Sequence, residues 1–215
     1  MRTWLKFCSL CRKSGKSAIS HKVLTQILGV NPAHMPEDEL RVVQPLVAFA
    51  FIKLLWDDGS VDEALSRLKN LVADRCTPQD PHLAAKAWLK LGTWQRAAAD
   101  TVSLDAESTA AIFHSLGRAT ELNSASYKAW HAWAMLHFEA VSSQPDGVSK
   151  HVVLAVGGFF RSISLGRERA LQDTLRLLTL WFKYGAIPAV NDSVRQGFDS
   201  IPIDMWLSVT PQVDA

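Results

Sequence analysis

Ser126-Tyr127-Lys128-Ala129-Trp130-His131-Ala132-Trp133-Ala134-Met135 is the stretch whose reading decides the fold. Read as a helix, it carries two large indoles at i and i+3, with small alanines between them that let a neighbouring helix approach closely. A second such stretch lies downstream, Gly158-Phe159-Phe160-Arg161-Ser162-Ile163-Ser164-Leu165. Outward from these two, apolar residues recur at helical spacing almost everywhere and no segment alternates strictly. The chain is therefore predicted to be all-α.

The helices are predicted in pairs. Thr3 to Ser14 and Ser17 to Leu28 form the first, split by Gly15 and closed by Gly29 and Pro32. Leu40 to Trp56 and Val61 to Val72 form the second, with Pro45 fixing a first turn, Ser60 in a capping position and Glu63 completing a capping box. After the Thr77–Pro81 break come His82 to Leu91, a short helix from Trp94 to Ala99, and the pair Ser108 to Leu122 and Ala125 to Val141. Ser142 to Val148 reads as a loop. Helices follow at Lys150 to Leu165, Ala170 to Tyr184, Ile187 to Gly197 and Ile203 to Val209. Pairs of roughly 34 residues imply a superhelical solenoid of irregular, tetratricopeptide-like antiparallel repeats. The first pair fits that register through Trp4, Phe7, Cys8, Cys11, Leu24, Ile27 and Pro32. The 8 tryptophans are expected as knobs between stacked layers. Neither terminus has an evident polar capping helix, so both ends are expected to be cuts through a longer solenoid.

Composition narrows the function classes. Of the 215 residues 48% are hydrophobic and 20% charged, ordinary for a folded domain. The balance of 23 basic and 21 acidic residues is too even to imply nucleic acid. The apolar runs Leu46 to Ile52 and Val152 to Phe160 are too short to span a bilayer, and the N-terminus lacks a secretory signal pattern. The odd number of cysteines, 3, suits a reducing cytosolic or nuclear setting.

Motifs of catalysis fail on inspection. Gly15-Lys16-Ser17 resembles the end of a phosphate-binding loop, but Leu10 stands where that loop needs glycine and no strand precedes it. Cys8-x-x-Cys11 has no second half to complete a zinc site and reads as two core residues on one helix face. Ser162-x-Ser164-x-Gly166 lacks the first glycine of a nucleophile elbow and lies in a helix. His131 and His137, six apart, fall on different helix faces and should not share a metal. The lysines are less ordinary. Lys6, Lys53, Lys90 and Lys128 each sit within strongly apolar surroundings, where a cation must snorkel to water or meet an anion. Lys86 and Lys90 share a helix face, as Lys6 and Lys13 do. Snorkelling is the simple reading of any one of them.

The wording of the chain resembles the FAT domain of the target-of-rapamycin (TOR) kinases, members of the phosphatidylinositol 3-kinase-related family. Its landmarks run in order: Arg2-Thr3-Trp4-Leu5-Lys6, Lys13-Ser14-Gly15, Leu28-Gly29-Val30, Leu89-Lys90-Leu91-Gly92-x-Trp94-Gln95, the Tyr127–Ala134 and Gly158–Leu165 stretches, Leu171-Gln172-Asp173-Thr174-Leu175-Arg176 and Thr179-Leu180-Trp181-Phe182. The resemblance implies a non-catalytic helical segment that clamps the kinase domain of its own parent chain, within TOR complexes that couple nutrient supply to growth. It implies a cytoplasmic setting, with endomembrane or nuclear association of the parent. It also implies an inositol hexakisphosphate pocket, whose basic lining aligns with Lys6, Lys13, Lys53, Lys86, Lys90 and Lys128; Lys86 stands where relatives can have arginine. Lys183 is left out because relatives usually carry an acid there. No metal is expected. The kinase catalytic motifs, the rapamycin-binding bundle and the terminal FATC segment are absent from these residues, so the segment is expected to be no enzyme. The rival reading is a free-standing helical-repeat adaptor that binds a protein in its concave face.

Overall fold

The computed structural model describes residues 1–31, 43–74, 80–99, 106–143, 148–166 and 170–201. Among the described residues no strand occurs, and the α-helices are α1 Arg2–Lys13, α2 Ser17–Leu28, α3 Pro45–Asp57, α4 Val61–Asp74, α5 Pro81–Ala98, α6 Ala106–Leu122, α7 Tyr127–Ser143, α8 Val148–Gly166, α9 Leu171–Tyr184 and α10 Pro188–Ser200. They fall into two compact units, Met1–Ser115 and Leu116–Ala215, with the division inside α6.

In the first unit, α1 and α2 make a hairpin through Ser14-Gly15-Lys16. The sulfur of Cys8 lies 2.8 Å from the Ser20 hydroxyl across the pair, and Cys8 and Cys11 are buried free thiols, as the helix-face reading expects. Helix α2 stops at Gly29, whose φ of 75° is left-handed and whose N–H bonds the Thr25 carbonyl at 2.8 Å. Pro45 does occupy the first turn of α3. That helix is apolar on nearly every side: Val47 to Ile52, Leu54 and Leu55 are all buried. It packs against α1, α2 and α4, and α4 packs on α5. Glu63 reaches forward to Arg67 at 2.7 Å, an i,i+4 pair on α4.

Two expectations change. The two short helices His82 to Leu91 and Trp94 to Ala99 are one continuous helix, α5. An interior glycine such as Gly92 costs about 1 kcal/mol relative to alanine. Burying Leu91 and Trp94 on the same face outweighs it, since full burial of a large apolar side chain is worth about 1.5–3 kcal/mol. Trp94 also stacks on Trp56, ring centroids 4.4 Å apart. The tryptophans are not uniformly interlayer knobs. Trp94 is buried, Trp56, Trp88, Trp130 and Trp133 are half-buried, and Trp4 and Trp181 are exposed. Trp4, Phe7 and Leu10 of α1 are exposed, although Trp4 lies one turn before the buried Cys8. Helix α3 is described from Pro45; Leu40 to Arg41 and the predicted Ile203 to Val209 helix, with Trp206, lie outside the described residues.

The second unit centres on α7 and α8, and α9 and α10 both pack on α8. A methyl group placed on Gly158 would lie 2.9 Å from the Ala134 methyl and 3.3 Å from its Cα. The glycine of one landmark stretch thus faces an alanine of the other, the close approach that small residues permit. Trp130 is tied to the preceding turn, its indole N–H donating to the Ser124 carbonyl at 2.9 Å. Trp133 presses its ring on Gly117 and Gly158 and meets His137 edge-on at 4.3 Å.

Two polar ties join these helices. Asp173 is only 1% exposed. Its carboxylate accepts from Ser162 Oγ at 2.7 Å, His131 Nδ1 at 2.9 Å and Arg176 Nη1 at 3.4 Å. Buried and satisfied in this way, the charge links α7, α8 and α9. The Ser162 hydroxyl is fully buried in this tie and also lies 3.0 Å from the Phe159 carbonyl. His137 and His151 bring their Nδ1 atoms to 2.9 Å, so one donates and the other accepts. His131 and His137 thus turn to different partners. Burial, then His151 and Lys150, pushes His137 down to about 4, and burial with Lys150 lowers His151.

Gly158→Ala is expected to destabilise the chain by about 1–3 kcal/mol through overpacking against Ala134. Gly157→Ala, whose added methyl would meet nothing within 4 Å, should be neutral or stabilising by up to about 1 kcal/mol. Urea midpoints compare the two. His137 titrates lower folded than its ordinary 6.5, so the unfolded chain binds more protons between about 4 and 6.5. Stability should therefore fall as pH drops through that window, by up to about 3 kcal/mol, and His137→Leu should flatten the dependence.

Candidate functional site

Lys53 is the one basic residue of α3, and α3 has no polar face on which to put it. It opens instead into a cavity of about 550 Å³ in the first unit. Leu5, Leu46, Phe49, Ala50 and Leu83 give the cavity an apolar wall. Among the described residues its charged lining is Arg2, Lys6, Arg12, Lys53 and Lys86 against the carboxylate of Asp80. That carboxylate is engaged in capping α5, accepting from the Leu83 N–H at 3.0 Å. Arg12 is paired with Asp57, which anchors α1 to the end of α3, and His21 approaches Asp58 at 3.3 Å one turn along.

The helices aim these groups by simple periodicity. Arg2 and Lys6 are one turn apart on α1, Lys86 and Lys90 one turn apart on α5, and Lys53 lies on α3 between them in sequence. The Lys53 ammonium stands 4.4 Å over the Phe49 ring, and Lys90 stands 5.1 Å over Trp94, contacts that favour a cation on an aromatic face. Burial pushes Lys53 down to about 8, with Arg12, Lys90 and Lys13 pushing the same way and Cys8 opposing. Like charges have gathered here.

Of the lysines singled out in the sequence, Lys6, Lys53 and Lys86 line the cavity, while Lys13 and Lys90 are near enough to act on Lys53. Lys128 is exposed in the first turn of α7, in the second unit. Arg2, Arg12 and His82 also line the cavity and escaped the sequence reading. Arg2 could have been found as the residue one turn before Lys6. Arg12 carries no such signal, since its direction depends on how α1 packs against α3. Among the described residues no group of three or more His, Cys, Asp or Glu side chains could hold a metal. No described helix is long and apolar enough to cross a membrane.

The family model described as FAT domain matches residues 1–179. The chain belongs to the FAT domain family. Its FAT segment is of the TOR kind: it is 37% identical to serine/threonine-protein kinase mTor of Drosophila melanogaster over 100% of this chain and 10% of that protein. It is 31% identical to serine/threonine-protein kinase tor1 of Schizosaccharomyces pombe, over 99% of this chain and 10% of the relative. With serine/threonine-protein kinase TOR of Oryza sativa subsp. japonica the figures are 35%, 99% and 10%. The chain thus spans about a tenth of the length of the curated relatives it matches. Among solved structures, that of MamA superposes with a TM-score of 0.50 at 18% identity, covering 89% of this chain and 92% of that one, a likeness of fold alone.

Lys53→Met is expected to stabilise the FAT segment by about 1 kcal/mol at pH 7 in low salt without polyanions, because it removes a desolvated cation and keeps the packing. The penalty of the buried charge is relieved in the parent chain as pH rises from about 8 towards 10.5. Thermal midpoints should therefore rise over that window in the parent and stay level in the variant.

Proposed function

We propose that this FAT segment is a non-catalytic scaffold of a TOR serine/threonine kinase, that it grips the kinase domain of its own parent chain and supports the complexes through which the parent signals nutrient supply, in the cytoplasm. Supporting this is the agreement of the whole chain with TOR kinases and the absence of kinase motifs from its sequence.

Within that role the basic cavity takes inositol hexakisphosphate as a structural ligand, held by Lys6, Lys53 and Lys86, with Lys13 and Lys90 near enough to add their charge. One observation carries this reading: among the described residues, cations from α1, α3 and α5 line one cavity whose one described carboxylate, Asp80, is already engaged. Ammonium groups so placed repel one another, and a compact polyanion offsets the repulsion while accepting charge-assisted hydrogen bonds from each. Bound there, it ties helices distant in sequence and stabilises the fold by linkage. Binding also returns Lys53 to its charged form, so it takes up a proton above pH 8.

Inositol hexakisphosphate should raise the thermal midpoint of the full chain at low salt, and the rise should shrink with ionic strength. Lys6→Glu with Lys86→Glu should remove most of it. A shift no larger than that from an equally charged linear polyphosphate would sink the inositol reading.

A further inference from the structure

The same cavity has chemistry that a structural ligand leaves unused. We propose that Lys53 is a covalent modification site, its side-chain amine condensing with small phosphorylated aldehydes while the cations around it hold the phosphate. The inference rests on the cavity being an anion site, not on inositol being the anion.

The geometry favours such a reagent over a simple anion. Lys53 stands against the apolar wall of the cavity, its ammonium over the Phe49 ring. Among the described residues the charges acting on it come from Arg12, Lys90, Lys13 and Cys8, none of them a carboxylate that would hold the nitrogen as a charged donor. Arg2, Lys6 and Lys86 line the same cavity and can take a phosphate monoester. A volume of about 550 Å³ lies within the range of pockets that take small molecules.

A lysine is a nucleophile only when neutral, and desolvation beside other cations is how a protein makes it so. With its proton held to about 8, roughly one fifth of Lys53 is neutral at pH 7.4, against about one in a thousand for an ordinary lysine. The nitrogen lone pair attacks the carbonyl carbon and a C–N bond forms. Both amine protons pass to the carbonyl oxygen, which leaves as water, and the product is an imine. No oxidant or further reactant is needed. The apolar wall limits access of the water that would reverse the step.

Pyridoxal 5′-phosphate is the probe, applied to the full 215-residue chain at pH 7.4, with borohydride reduction and peptide mass mapping. Lys53 should be labelled at least ten-fold faster than the exposed Lys22 and Lys69. Pyridoxal without its phosphate should label Lys53 at least ten-fold more slowly, and inorganic pyrophosphate should protect it. Lys53→Arg, which keeps the cation and removes the nucleophile, should abolish that label while leaving the others. Labelling of Lys53 no faster than of Lys69, or equal rates with and without the phosphate, would overturn the proposal. If Lys53 is labelled selectively but inositol hexakisphosphate gives no specific thermal shift, this inference stands and the inositol reading falls.

Discussion

Helix α3 has no polar face, and the first unit is built round that fact. Eight of its residues are buried, so α1, α2 and α4 must all close on it. A charged side chain on such a helix has few places to go. Lys53 therefore determines where packing must stop, and the cavity is the space left around its head group. The cost of keeping a cation there is visible in its lowered proton affinity.

The second unit answers a different constraint, the close contact of α7 with α8. Ala134 facing Gly158 sets the spacing. At that spacing the polar groups between the helices must pair with one another, since little water can reach them. Asp173 meets this with three donors from three helices, and the histidine pair meets it by sharing a proton. Further out, Leu175 and Phe182 leave α9 with an exposed apolar stripe, Phe182 being 85% exposed.

The two constraints give the units unlike characters. The first has a basic cavity with apolar walls, fit to hold an anion. The second has buried polar ties that hold helices in register.

Helix existence was legible in the sequence because it depends on local periodicity, and Pro45, Gly15 and Gly29 marked turns that their backbone geometry bears out. The small-residue contact of α7 and α8 was legible for the same reason: alanine and glycine at helical spacing leave room for a neighbour. The landmarks also disclosed the family, and with it a set of lysines. What they could not disclose was direction. Gly92 read locally as a break, yet the burial of Leu91 and Trp94 carries α5 through it. The indoles read as interior, yet Trp4 and Trp181 face outward, because only the packing of α1 and α9 decides which side of a helix is inside. Five of the lysines belong to three helices separated by dozens of residues, and Arg2 and Arg12 join them without any pattern in the sequence. Periodicity is a property of neighbouring residues and survives in the bare sequence; convergence is a property of how helices stack, and only the tertiary structure fixes it.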